Sequence, residues 1–365
     1  VSKKLRAQVL EGLRQGRPTT GPLQVHLDIT NACNAACVTC WDHSPLLDQG
    51  RSNAWKRQRL DLGTFHDLMA QLDAFGSVGS IVLSGMGDPL VHPGVYEMIG
   101  AIKRRGWHLT LLTNLVAADM DQLEGSGVDR VLASVQGVTI DSYTAFHPGW
   151  TEQHFSTLCR YLRRLGRSGV ETRHVQVINR DTAPELVEMV RFGGLFRAQR
   201  VNFKLASLYG GTQACSITEA QRAQLALDIP RARELASTLG VGTNLDLFEQ
   251  QLTASTRSER HTTPVDETGC AMGHVYTRIA VDGAVIFCCN TQVQVGSLAE
   301  NTLAELWWGD RWQSLREHLA AGRFFKGCEV CGKYEQNRTW SQRFGGPLHG
   351  GVPTASENLA RVARG

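Results

Sequence analysis

Cys33, Cys37 and Cys40 stand within eight residues, in the order C-x3-C-x2-C, inside the run T-N-A-C-N-A-A-C-V-T-C-W at residues 30–41. Three thiolates at this spacing can wrap one face of a cubane iron–sulfur cluster, whose four irons ordinarily take four cysteines. One iron is then left open and can hold a small molecule through its amino and carboxylate groups. A zinc knuckle or a disulfide loop is the alternative, but zinc takes a closed set of four ligands and the nearest further donor is His43. The spacing favours the cluster.

A second group of thiols lies towards the C-terminus. Cys270 is followed by twelve residues, Gly283, four residues and Cys288, and Asp282-Gly283 between two alternating apolar runs is a hairpin signal. The hairpin brings Cys270 and Cys288 together, and Cys328-x2-Cys331 completes a four-thiolate set. Zinc and an iron–sulfur cluster both suit such a set. Cys289 competes with Cys288, and the glycine spacing selects Cys288. Two further thiols differ in setting. Cys159 shares a helical stripe with Phe155, Leu158, Leu162 and Leu165 and reads as core packing. Cys215 ends the polar run G-G-T-Q-A-C and precedes Ser216-x-x-Glu219, a capping-box pattern. That places an exposed thiol beside a helix N-terminus, where the thiolate is favoured and hydrogen or redox chemistry is open to it.

These residues are carried by a regular alternation. Residues 23–29 read as a strand that feeds the first cysteine loop, followed by a polar loop at 44–61, a helix at 64–75 and a strand at 80–83. Helices at 94–105, 120–124, 153–165 and 183–196 then alternate with strands at 108–113, 130–135, 173–178 and 200–206. Six β-α units predict a parallel sheet with helices outside, an α/β partial (β/α)6 barrel whose functional groups come from the C-terminal strand ends. A smaller α+β domain holds the second cysteine group. The boundaries expected are an N-terminal helix at 1–22, the barrel at 23–215, a helical bridge and linker at 216–269, the cysteine domain at 270–335 and a tail at 336–365, with a helix contained within 296–319 and a short helical pattern at 356–364.

The 365 residues are 42% hydrophobic and 20% charged, ordinary for a globular protein, and the net charge of +3 is too mild to argue for a nucleic-acid partner. The basic run at 160–167 reads as a solvated helix face. No stretch has the length of a membrane span and residues 1–17 lack the apolar core of a signal peptide, so a cytoplasmic location is expected. Ten cysteines in such a chain indicate metal or redox chemistry rather than disulfides.

The first cysteine triplet is the signature of the radical S-adenosylmethionine (radical SAM) enzymes, which the chain resembles over residues 23 to about 335. The run Ser84-Gly85-Met86-Gly87-Asp88-Pro89-Leu90 ends the second strand; Leu90 and Pro89 argue against a dinucleotide loop. It is similar instead to that family's Gly-Gly-Glu motif, whose backbone holds the amino group of the cofactor, although Met86 and Asp88 depart from its commonest letters. Asn114, Ser134 and Gln136 lie at the next strand ends, where the family contacts the cofactor's ribose and carboxylate. Thr39 stands where the family usually has an aromatic residue, and Trp41 is the aromatic candidate for the adenine. The C-x12-G-x4-C, G-S-L at 296–298, helix and C-x2-C series resembles the half-length auxiliary-cluster ("twitch") domain. The resemblance therefore implies two 4Fe–4S clusters, S-adenosylmethionine and an external electron donor such as flavodoxin or ferredoxin.

In that family the reduced cluster cleaves the cofactor to a 5′-deoxyadenosyl radical, which takes hydrogen from an unactivated C–H bond. The count of residues ahead of Cys33 is short of an additional leader-peptide-binding domain, which favours a small polar substrate over a peptide. Asp42, His43 and Lys204, at or after strand ends, are the candidate substrate contacts. The expectation is a carbohydrate-type epimerase inverting a carbinol centre of a sugar, amino sugar or cyclitol, with Cys215 returning the hydrogen. A dehydrogenase acting on the same substrates is the alternative, and a peptide-modifying enzyme ranks below both.

Overall fold

A computed structural model describes residues 2–254 and 265–349. Among these, ten strands occur: β1 (Gln24–Asp28), β2 (Ser80–Ser84), β3 (His108–Thr113), β4 (Arg130–Ser134), β5 (Glu171–Ile178), β6 (Arg200–Leu205), β7 (Gly242–Thr243), β8 (Tyr276–Ile279), β9 (Ala284–Ile286) and β10 (Gln294–Ser297). The chain divides into two units, one built from residues 2–27, 61–81 and 265–349 and the other from residues 28–60 and 82–254.

In the second of these, β3 to β7 are neighbours in chain order and every pair is parallel. The expected β-α alternation is realised, with helices such as Val95–Arg104, Glu152–Ser168 and Leu186–Leu195 between the strands. The period-two pattern decides the faces. On β5, Thr172, His174, Gln176 and Ile178 are buried, and His174 lies 5.8 Å from Phe192 of the helix Leu186–Leu195. Ser134, Val175, Val177 and Lys204 share the other face, because Ser134 pairs with Val175 and Val177 with Lys204. That face is left to functional groups at the C-terminal strand ends. The stretch after residue 240, which shows little pattern in the sequence, contributes β7 and a helix, Leu245–Ala254. Their apolar residues Leu245, Phe248 and Leu252 close a core with Val201, Phe203 and Ile229.

The opposite, N-terminal ends of the same strands carry a charge cluster. Arg130 and Arg173 lie 2.7 and 2.6 Å from Glu171 and hold its carboxyl below the ordinary value near 4.5, the Arg130 hydrogen bond being the larger cause. A carboxylate with a depressed folded-state pKa stabilises the fold above its unfolded value, and this is lost as pH falls through the lower folded value. Glu171→Gln should therefore cost up to about 1 kcal/mol at neutral pH. The gap to wild type should close below pH 4.5 in denaturant titrations; a gap independent of pH would exclude the ion pair as its cause.

In the other unit, β8 and β9 form the expected hairpin, with Gly283 at φ 81° in its turn. β1 pairs with β8 in parallel, from Gln24 opposite Tyr276 to Leu27 opposite Ile279, and β10 adds to β9. The helix expected within 296–319 is divided in two, Leu303–Trp308 and Asp310–Ala320. Thr302 and Glu305 form a capping box on Leu303–Trp308, and Gly309, extended at ψ 162°, interrupts the helix before Asp310–Ala320. The break seats two indoles in the core: Trp307 donates to Thr20 O at 3.0 Å and Trp312 to Gly273 O at 3.2 Å. A helix at Tyr334–Phe344 occupies part of the segment read as a tail. The pattern at 356–364 and residues 255–264 of the bridge and linker expected at 216–269 fall outside the described residues. No helix among the described residues is long and apolar enough to cross a membrane.

Candidate cluster and cofactor site

The segment after β1 is anchored before it reaches the first cysteine. Ile29 N–H donates to Ser84 O, Leu60 N–H to Ile29 O and Asn31 N–H to Gln58 O, at 2.9, 2.9 and 3.0 Å. From Asn31 to Cys40 the chain is irregular, held by Val38 N–H to Phe146 O and Cys40 N–H to Cys37 O, both 3.0 Å, and by Ser44 Oγ to Val38 O at 2.7 Å. Backbone N–H groups point at the sulfurs: that of His43 reaches Cys40 Sγ at 3.3 Å, and those of Ala35 and Asn34 face Cys33. Burial pushes the Cys33 thiol up to about 12 and raises Cys37 and Cys40 as well, and Cys40 and Cys33 each add to the effect on Cys37.

Three thiols that resist ionising beside one another require a cationic centre to become thiolates together, and a metal supplies it. Among the described residues no three donor side chains converge as ligands of a single ion would.

Gly85 and Gly87 bring a second loop against this one. A Cβ on Gly85 would stand 2.2 Å from Thr30 O, and one on Gly87 would stand 1.8 Å from Ala32 O. The close approach lets Gly87 N–H donate to Thr30 O at 3.1 Å and Asp88 N–H to Ala32 O at 2.9 Å. Asp88 is buried, and its carboxylate accepts from Leu90 N–H, the Thr113 hydroxyl and Asn114 N–H at 2.9, 2.9 and 2.7 Å. The side chain thus ties the end of β2 to the end of β3. Asn114 is tied in turn to the cysteine loop, its Nδ2 donating to Asn34 Oδ1 at 2.7 Å, and the Trp150 indole donates to Asn34 O at 3.1 Å.

Leu115 and Gln136, each just past a strand, have φ of 71° and 54°, a conformation non-glycine residues adopt at a cost and mostly at functional turns. Gln136 Oε1 accepts Val177 N–H at 2.7 Å, and Ser134 lies on the open face of β4. Asn34, Thr113, Leu115 and Trp150 were not singled out in the sequence. Only Asn34, inside the cysteine triplet, carried a positional signal.

The remaining candidates are distributed differently. Trp41 is 46% exposed, donates to Ser207 O at 2.7 Å and meets Tyr209 edge-on at 5.6 Å, so it leans on the loop after β6. Asp42 is buried against Arg51 at 2.7 Å, and the Arg51 guanidinium covers Trp55. His43 lies 6.0 Å from the same Trp55 ring, and burial, then Lys56, lower its pKa. Lys204 is exposed beside Val177.

Cys215 differs from its expected setting. It is 6% exposed, packs with Val38, Phe146, Ala206 and Leu208, and points at Val38 O at 3.8 Å. The capping box is Thr218 with Gln221, not Ser216 with Glu219, so the following helix begins at Glu219, beyond reach of a favourable dipole on the thiol. Burial raises the Cys215 pKa. The physical reason is local: a short turn of 3-10 helix, Thr212–Cys215, rotates the thiol into the apolar cluster behind the cysteine loop.

The other unit gathers five thiols. Cys270 is pushed up to about 12 by burial, with Cys328 and Cys289 adding to it. Cys289 is held low by hydrogen bonds from the thiols of Cys288 and Cys331, both of which are pushed up. Asn290 N–H donates to Cys288 Sγ at 3.4 Å and Asn337 Nδ2 approaches Cys331 Sγ at 3.9 Å. Cys288 and Cys289 both belong to the group, and the donor set suits a four-thiolate cluster with one thiol to spare.

Each of the two cysteine groups falls within a match to a known family. The family described as the Radical SAM superfamily matches residues 27–192, and an iron–sulfur cluster-binding domain family (SPASM) matches residues 270–332. A PqqA peptide cyclase from Xanthomonas campestris pv. campestris (strain 8004) is 25% identical over 296 residues, covering 78% of this chain and 73% of that protein. A tungsten-containing aldehyde ferredoxin oxidoreductase cofactor-modifying protein from Pyrococcus furiosus is 26% identical over 182 residues. The match spans 46% of this chain and about half, 47%, of that relative's length. Among solved structures, Streptococcus suis SuiB bound to S-adenosylmethionine superposes with a TM-score of 0.62 at 15% identity, over 85% of this chain and 71% of SuiB. The anSMEcpe protein with bound AdoMet gives 0.60 at 14%, over 90% and 86% of the two chains. At these identities the superpositions speak for the fold.

Proposed function

The chain is a radical SAM enzyme with a C-terminal iron–sulfur cluster-binding domain, and we propose that it modifies a peptide. The observation that carries this reading is the set of peptide cyclases that match 78% of the chain. It replaces the carbohydrate epimerase and the dehydrogenase expected from the sequence, together with their sugar-type substrate. The residue count ahead of Cys33 does not decide the substrate, and the buried Cys215 removes the exposed hydrogen donor on which the epimerase rested.

The cofactors are S-adenosylmethionine and two 4Fe–4S clusters. When bound, S-adenosylmethionine on a reduced cluster supplies a radical that takes hydrogen from an unactivated C–H bond. Cys33, Cys37 and Cys40 would hold the first cluster, and Cys270, Cys288, Cys328 and Cys331 the second. The backbone at Gly85 to Asp88, fixed by the Asp88 carboxylate, would present the polar groups that grip the cofactor's methionyl end. Asn114, Ser134 and Gln136 would contact its ribose and carboxylate, and Trp41 its adenine edge. Lys204 and the open strand face beside it would meet the peptide, with Asp42 and His43 shaping the loop next to it.

An isotope experiment tests the substrate. Anaerobic enzyme with S-adenosylmethionine and dithionite is offered side-chain-deuterated peptides, and in parallel deuterated amino sugars and cyclitols. Deuterium is expected in 5′-deoxyadenosine from a peptide only. Label arriving from a sugar or cyclitol, and from no peptide, would overturn the reading.

A further inference from the structure

The helix Tyr334–Phe344 begins beyond residue 332, where the match to the cluster-binding family ends, and its buried residues Tyr334, Asn337, Trp340 and Ser341 recur at helical spacing. Asparagine is ill-suited to such a stripe. It is a poor helix former, and its amide carries two N–H donors and an oxygen acceptor that need partners once water is excluded. Asn337 is fully buried. Its Oδ1 accepts Ala271 N–H at 3.0 Å, and its Nδ2 donates to Cys331 Sγ at 3.9 Å. The backbone fixes which way the amide points: Ala271 N–H can only donate, so it takes the oxygen and turns the amide nitrogen towards the sulfur. One side chain thus joins the residue after Cys270, the first cysteine of the group, to Cys331, the last. The chain between Cys331 and the helix is itself held, Cys331 N–H donating to Cys328 O at 3.1 Å and Tyr334 N–H to Cys331 O at 3.3 Å.

We propose that Asn337 is a positioning residue of the second cluster, holding the Cys331 sulfur by an N–H···S hydrogen bond and raising the reduction potential of the cluster bound there. The proposal rests on the reading that these thiols hold a 4Fe–4S cluster. An ionised sulfur is a stronger acceptor than a thiol, so the contact favours Cys331 as a ligand. A cluster with four thiolates is a dianion when oxidised and a trianion after taking up one electron, and hydrogen bonds to its sulfurs are among the quantities that set its potential. A donor at one sulfur stabilises the more negative, reduced form. Removing it should disfavour reduction. Asn337 acts through the cluster and not on substrate, and the helix that carries it belongs to the surroundings of the cluster although it lies outside the matched domain.

The test isolates the second cluster by using protein with Cys33, Cys37 and Cys40 all replaced by alanine. The midpoint potential is read by mediated redox titration, following the electron paramagnetic resonance signal of the reduced cluster. Metal analysis comes first: zinc in place of iron in anaerobically isolated protein would overturn the cluster reading itself. Two substitutions are then compared at full iron content. Asn337→Asp keeps an oxygen for Ala271 N–H and loses the donor to sulfur, whereas Asn337→Leu loses both without adding charge. Each is expected to lower the reduced-to-oxidised ratio at a given potential about tenfold, a shift of about 59 mV for one electron. A lowered potential in both supports the proposal. A fall in Asn337→Leu alone would assign the effect to the Ala271 contact, and a fall in Asn337→Asp alone would assign it to the new charge. Either result overturns the hydrogen bond to sulfur, as does no change in both. If Asn337→Leu does not retain iron, Asn337→Ala takes its place and is read in the same way. Loss of iron in all three would make Asn337 a requirement for assembling the site and overturn its role in setting the potential.

Discussion

Replacing Cys33, Cys37 and Cys40 together by alanine is expected to halve the iron of anaerobically reconstituted protein, from about eight to about four per chain, and to abolish 5′-deoxyadenosine formation. The effect on activity should be complete, because these residues supply every protein ligand in the loop. The fold should survive. The loop from Asn31 to Cys40 contains no helix or strand, and its anchors at Ile29, Asn31 and Ser44 are independent of the sulfurs. Circular dichroism and thermal melting should therefore resemble wild type while the iron and sulfide counts fall. Wild-type protein that never carried more than about four irons would count against a second cluster. A triple variant that still made 5′-deoxyadenosine would remove this loop from the chemistry.

Gly87→Ala is expected to weaken S-adenosylmethionine binding by at least about a hundredfold, roughly 2.8 kcal/mol. The added methyl would stand 1.8 Å from Ala32 O, and neither neighbour is a flexible side chain that could give way. Backbone must move, which overpacking data place at about 1–3 kcal/mol or more. Movement here breaks the Gly87 to Thr30 and Asp88 to Ala32 hydrogen bonds together, so the damage reaches the cofactor grip and the cysteine loop at once. Gly50→Ala is the matched control, since a Cβ there meets nothing within 4 Å. Calorimetric titration of S-adenosylmethionine into the two reconstituted variants would decide the matter. Equal affinity in both would mean that the contact between the two loops is irrelevant to the cofactor.

The substrate class shows where local reasoning ran out. Cys215 in G-G-T-Q-A-C has the composition of an exposed loop thiol, and nothing within a few residues reports that Thr212–Cys215 winds into a short helix and turns the sulfur inward. Two of its partners, Val38 and Phe146, lie far away in the chain. The role assigned from composition thus lost its exposed setting, while the epimerase itself was overturned by the peptide-cyclase relatives. The Asp42 partner was likewise not legible, since Arg51 is nine residues on and only the folded loop brings the two together.

What the sequence determined by itself is the chemistry that depends on short spacing and period. Three cysteines in eight residues, a C-x2-C and an Asp-Gly hairpin constrain their own ligands, and the alternation of period-two and helical segments forces a parallel sheet. These are local properties, written into neighbouring residues. The tertiary structure decided what depends on residues distant in the chain. Asp88 became a tie between strand ends because Thr113 and Asn114 come to it from β3, and Asn34 became the link to Asn114 across eighty residues. Gly309, one residue, divided an expected helix so that Trp307 and Trp312 could both be buried. Lys333 met Gln24 across more than three hundred residues. Hydrogen bonds and apolar contacts of this kind are satisfied only after burial, when water has been removed and each polar group must find whichever partner the packed chain brings to it.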